Sequence, residues 1–182
     1  NTMKVKEFKQ INTTYPHDAQ YKAWWSRQYE YPTVLKEIAR LKKDPLIHNT
    51  CWGFEDAHVM FKNDLEELYG VSSVVNSDLK KSSYPNTCVW NVCEAPLTEW
   101  KEAFDIVLNI STLEHLPSKE QTIAFYNLME LVKPGGHLIC TFDLPGLDLL
   151  KFEGILGSTY QEDSTNVLTN GRLTCGLLVI QK

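Results

Sequence analysis

Three residues able to do hydrogen-bonding and acid–base chemistry, Ser111, Glu114 and His115, follow directly on the apolar run Ile106 to Ile110 in a chain of 182 residues. A hydroxyl, a carboxyl and an imidazole in such close order can hold a substrate and take or release a proton near neutral pH. The run ahead of them shows little polar alternation, as expected of a central parallel strand covered by helices on both faces. Open parallel sheets bind ligands beyond the carboxyl ends of their strands, so this abrupt polar turn falls where a site belongs. Asp143 ends a second apolar run, His137 to Phe142, and is placed in the same way.

The elements that must position these groups follow from spacing. Ser118 with Gln121 three residues on makes a capping-box signature behind Pro117, opening a helix with Ala124, Phe125, Leu128, Leu131 and Val132 on one face. Pro134-Gly135-Gly136 stops it. Strand, helix and returning strand make a βαβ unit whose crossover is right-handed. In the front half, Pro45 to Asn49, Val71 to Val75 and Thr87 to Val92 are strand candidates, and Asp56 to Leu68 is a helix. The loop between the second and third is too short for a full crossover helix, so that unit is abbreviated or pairs differently. Near the end, Thr165 to Thr169 and Leu173 to Ile180 flank Asn170-Gly171, which suits a tight hairpin turn because both residues tolerate positive φ.

Leu113-Glu114-His115 together with Val132-Lys133-Pro134-Gly135-Gly136 resembles paired signatures of class I S-adenosylmethionine-dependent methyltransferases, of the small "type 11" kind that acts on small molecules and sugars. The resemblance implies an α/β, Rossmann-like fold: a mostly parallel sheet flanked by helices, closed by a C-terminal antiparallel hairpin. It also implies S-adenosyl-L-methionine as cofactor and transfer of a methyl group to an oxygen or nitrogen of a small molecule or sugar. The cofactor loop would be Thr50, Cys51, Trp52 and Gly53, where the family has an acidic residue and a glycine-rich turn. Only Gly53 is a glycine here. Either the turn still brings backbone amides to the cofactor, with the Thr50 hydroxyl as a further donor, or its own tryptophan fills the pocket.

By the same resemblance, Asp78 accepts the ribose hydroxyls, Asn91 and Val92 contact adenine with Glu94 nearby, and Ser111 lies against the methionine portion. His115 is the first candidate for a general base and Asp143 the second. The aromatic stretch Tyr21, Ala23, Trp24, Trp25, Arg27, Tyr29, Glu30, Tyr31 before Pro32 resembles an entrance segment, with Arg27 or Tyr29 closing over the cofactor and the tryptophans packing a helix onto the sheet. Residues 144 to 164 are expected as a helix or lid near the substrate.

Composition narrows the class. The chain carries 18 Lys and Arg against 23 Asp and Glu, and the net charge of -5 argues against wholesale attraction to nucleic acid. No apolar run is long enough for a membrane span and no signal-peptide pattern opens the chain, so the expected location is cytoplasmic. Five cysteines without paired close spacing, and no helical pair of histidines, leave a metal centre unexpected. Cys140 and Cys175 lie in apolar patterns as small core residues. The expected organisation is a tail over residues 1–14 and a single domain over 15–182. Two competing classes stay open: a methyltransferase-like domain that has lost cofactor and activity, and a nicotinamide oxidoreductase, which the missing glycines and the terminal hairpin disfavour.

Overall fold

Parallel pairing of the apolar runs sets up one sheet whose strand order reverses direction at its middle. The computed structural model describes residues 3–22, 25–54 and 56–182, so Ala23 and Trp24 of the aromatic stretch lie outside the described residues. In chain order the elements are β1 (Lys4–Gln10), α1 (Arg27–Leu41), β2 (Ile47–Thr50), α2 (Asp56–Tyr69), β3 (Val74–Asp78), β4 (Thr87–Val89), β5 (Phe104–Ile110), α3 (Ser118–Leu131), β6 (Val132–Leu144), α4 (Leu149–Leu156), β7 (Thr169–Asn170) and β8 (Leu173–Gln181). The sheet runs β1-β8-β6-β5-β2-β3-β4, with β7 paired to β8 off that path. Strands β4, β3, β2, β5 and β6 are mutually parallel, and β8 is antiparallel to both β6 and β1.

Each face carries its own core. One holds Val107, Leu138, Cys140, Phe142 and Leu178 against Phe125, Leu128 and Phe152 of α3 and α4. The other holds Ile47, Ile106, Ile139 and Val179 against Val34 and Ile38 of α1 and Phe61 and Leu65 of α2. Both faces of β5 are thereby covered, which is why its sequence does not alternate. Pro32 lies inside α1 and has no N–H to give the Gln28 carbonyl; that carbonyl accepts from the Asp18 N–H instead, at 2.8 Å.

Four sequence expectations are corrected. The residues expected as a tail include β1, an edge strand on β8. Its apolar period is hidden because the register shifts between Val5 and Glu7, so Val5 and Phe8, three apart, face the same way opposite Ile180 and Leu178. The terminal hairpin shrinks to Thr169–Asn170 against Leu173 and Thr174. The polar stretch before it offers little apolar surface to bury, and β1 takes the place beside β8. The capping box does not form: Pro117 is the N-cap, the Ser118 hydroxyl binds Asp148, and the Gln121 amide donates to the carbonyls of Leu116 at 2.9 Å and Gly146 at 3.1 Å. Finally, α3 ends at Leu131, and Val132 already pairs with Phe104 in the sheet. Gly136 is needed for close approach, since a Cβ there would lie 2.8 Å from the Asp105 carbonyl oxygen. The β3–β4 unit is the abbreviated one: residues 79–86 join two parallel strands without a helix.

Candidate active site

The chain leaves β2 toward α2 and β3 on one side and leaves β5 toward α3 and β6 on the other, which opens a crevice above the carboxyl ends of these two neighbours. Ser111 stands at that point with φ 49°, its N–H donating to the Thr141 carbonyl at 2.9 Å. It borders three cavities, of about 110, 210 and 420 Å³.

The loop after β2 departs from its sequence reading in one respect. The Thr50 hydroxyl is already used, donating to the Leu108 carbonyl at 2.6 Å and accepting from the Asn109 amide at 3.0 Å, so it serves the sheet and not a ligand. Cys51 takes φ 52°, and burial, with Asp78 nearby, pushes its thiol up to about 12, leaving it a neutral, unreactive group. Trp52 is 4% exposed and packs edge-on against Phe54 and Tyr84, with ring centroids 5.1 and 5.8 Å away. It lines the 110 Å³ cavity with Arg27, Tyr31 and Phe61. Its indole Nε1–H is buried and has no partner among the described residues. Gly53, at φ 75°, donates its N–H to Asp78 Oδ2 at 3.1 Å.

Asp78 therefore faces the crevice. It lines the 210 Å³ cavity with Trp90, Asn91, Val92, Ser111 and His115. Asn91 turns its side-chain oxygen to the Cys93 N–H at 2.9 Å, which shapes the turn, and the Val92 carbonyl accepts from Asn127 at 2.9 Å. Trp90 and Leu79 also border this space and were not singled out from the sequence. Their positions beside Asp78 and Asn91, at the ends of two strands, were the available signal.

An acidic wall closes the other side. Glu30 is fully buried and accepts from Arg27 Nη1 at 2.7 Å, from the Ser111 hydroxyl at 2.6 Å, and from the hydroxyls of Ser26 and Thr141. Burial opposes its ionisation, but Arg27 and the three hydroxyls outweigh burial and hold the carboxyl below its usual range. The Asp143 N–H donates to Glu114 Oε2 at 2.7 Å. Burial, then the charges of Asp143 and Glu30, push Glu114 up to about 8. Burial and Glu30 raise Asp143 to about 6 against the opposing pull of Arg27. Asp143 lines the 420 Å³ cavity with Trp25, Arg27, His58, Ser111 and His115. His115 is exposed and borders this cavity and the 210 Å³ one. Arg27 reaches the site as the entrance segment was expected to, whereas Tyr29 packs on His17, centroids 4.6 Å apart. Among the described residues no group of three or more His, Cys, Asp or Glu is arranged to hold a metal ion.

A sheet of this order, closed by an antiparallel strand and with a crevice at the β2/β5 reversal, is the fold of class I methyltransferases. Residues 60–140 match the family model described as "Methyltransferase domain", which bears out the resemblance seen in the Leu113-Glu114-His115 and Pro134-Gly135-Gly136 segments. Among solved structures, the chain is similar to the trans-methyltransferase CalH complexed with SAH (13% identity, 86% of this chain and 56% of that one, TM-score 0.59). It is also similar to the CMeT domain of the citrinin polyketide synthase (18% identity, 91% and 54%, TM-score 0.62). A third is a Burkholderia thailandensis 1,6-didemethyltoxoflavin-N1-methyltransferase with bound 1,6-didemethyltoxoflavin and S-adenosylhomocysteine (14% identity, 91% and 81%, TM-score 0.59). The chain spans little more than half the length of the first two. A comparison with curated protein sequences finds no match.

Proposed function

We propose that this domain is an S-adenosylmethionine-dependent methyltransferase that methylates an oxygen or nitrogen of a small molecule or sugar. The observation that carries the reading is the open crevice beside Trp52: the indole borders the smallest cavity, while Asp78, Asn91, Ser111 and His115 line a separate 210 Å³ space. The residues present fit a sulfonium nucleoside. Each Asp78 oxygen accepts one backbone N–H, from Gly53 and Lys80, and keeps lone-pair capacity for ribose hydroxyls. Trp90, Val92 and Leu79 offer apolar walls for a purine. Of the acidic wall, Glu30 and Asp143 offer negative charge to a cationic centre near neutral pH.

When bound, the cofactor supplies an activated methyl group on a positively charged sulfur. The chain's own residues do the rest. Ser111, fixed by Glu30, marks the junction of the cavities, so groups bound in the 210 and 420 Å³ spaces meet there. Their alignment is the main source of rate acceleration for a displacement of this kind. Asp143 and His115 border the 420 Å³ cavity, which is large enough for a small acceptor, and either can take the proton that a hydroxyl or ammonium nucleophile must lose. Glu114 keeps its proton near neutral pH and so spares Asp143 a second full negative charge.

The preference for a small-molecule partner over nucleic acid is supported by the net charge of -5. No described helix is long and apolar enough to cross a membrane. A cytoplasmic setting is supported by five cysteines none of which is in a disulfide. Isothermal titration with S-adenosylhomocysteine tests the function. Saturable binding in the micromolar range is expected. No binding at millimolar ligand overturns the proposal in favour of a domain that has kept the fold without the cofactor.

A further inference from the structure

We infer that the indole N–H of Trp52 and the guanidinium Nε–H of Arg27 form a carboxylate subsite in the 110 Å³ cavity, replacing the glycine-backed amides this loop lacks. The inference rests on the methyltransferase reading and specifies how the amino-acid end of the cofactor is held.

The donors of the loop after β2 are already committed. The Thr50 hydroxyl belongs to the sheet, the Trp52 N–H donates to the Ser77 carbonyl at 3.3 Å, and the Gly53 N–H is held by Asp78. The named donors of the turn are therefore spent within the protein. Two side-chain N–H groups of residues that line the same cavity are not. Trp52 Nε1 and Arg27 Nε are both buried with no partner among the described residues, and the two residues are only 4% and 9% exposed. Leaving a buried N–H unpaired is costly, and a donor beside a cavity can be satisfied by a group bound there. The guanidinium uses Nη1 on Glu30, which orients it; that carboxylate is itself satisfied by three hydroxyls.

The cavity is too small for a nucleoside and large enough for a carboxylate on a short stem. It adjoins Ser111, where the two larger cavities also end. An oxygen-bearing anion answers both donors, because indole and guanidinium groups donate and do not accept. Tyr31 and Phe61, stacked with centroids 4.2 Å apart, form an aromatic wall of the same space. The tryptophan that looked incompatible with cofactor binding is thereby its donor.

The test uses calorimetric binding of three probes to the intact protein: S-adenosylhomocysteine, its carboxyl methyl ester, and 5′-methylthioadenosine, which lacks the amino-acid end. Wild type is expected to bind S-adenosylhomocysteine about tenfold or more tighter than the ester, the size of one charge-assisted hydrogen bond. Trp52→Phe should shrink that difference to about threefold or less while 5′-methylthioadenosine binds as before, which also reports an intact fold. Equal affinity of wild type for acid and ester overturns the subsite even if Trp52→Phe does not fold. An undiminished difference in Trp52→Phe overturns the role of the indole. Binding of 5′-methylthioadenosine in either case leaves the methyltransferase reading standing, whereas no binding of any probe removes both.

Discussion

The Glu114 carboxylate accepts the backbone N–H of Asp143 at 2.7 Å, which locks the turn after β5 to the end of β6 and sets two raised carboxyls side by side. Both are protonated more readily in the folded protein than in the unfolded chain, Glu114 up to about 8 and Asp143 to about 6. A raised carboxyl contributes stability that is complete below its unfolded pKa and is lost as pH rises through its folded one. Stability should therefore fall between about pH 4.5 and 8, the ordinary glutamate value and the folded one. Glu114→Gln should flatten that slope and make the protein more stable than wild type at pH 8, measured by urea unfolding across the range. An unchanged slope would show that Glu114 is ionised throughout.

Glu30 is the buried charge that holds α1 over the site. Glu30→Gln leaves Arg27 buried without its counter-charge and weakens the bonds from Ser111 and Thr141. A loss of about 3 kcal/mol or more is expected from breaking one side of a buried pair. Chemical denaturation measures it; a loss under about 1 kcal/mol would place the pair in contact with solvent.

Gly53 cannot be replaced cheaply. At φ 75° an added Cβ would run into the His58 imidazole. Gly53→Ala should cost about 1–3 kcal/mol from strain and overpacking together. Pairing it with His58→Ala should recover the steric part and leave the backbone part. Full recovery in the double variant would mean that the positive φ carries no cost.

The proton acceptor is identified by comparing His115→Gln with Asp143→Asn in a methyl-transfer assay once an acceptor is found. Loss of a positioned base typically costs 10²–10⁴-fold in rate, so one variant should fall by about that factor. Unchanged rates in both would remove general-base catalysis and leave alignment alone.

Much of the architecture was legible because it is local. The segment from Phe104 to Asp143 places strand, turn, helix and strand within forty residues, and its apolar spacing states what each piece is, although the returning strand starts at Val132, ahead of Pro134-Gly135-Gly136. Ser111, His115 and Asp143 could be placed at the crevice for the same reason: they follow buried runs, and strand ends line such crevices. Edge β1 was hidden, because a one-residue register shift breaks the alternation that would have announced it.

The sequence by itself determined the alternation of strands and helices and the residues at the strand ends, since hydrophobic period and turn chemistry act between near neighbours. Only the tertiary structure decided how the glycine-poor loop uses its side chains, and that Glu30 meets Ser111 and Thr141 across 81 and 111 positions of chain. Such contacts depend on which faces of distant elements pack together. Burial then sets their electrostatics, and no local pattern encodes that.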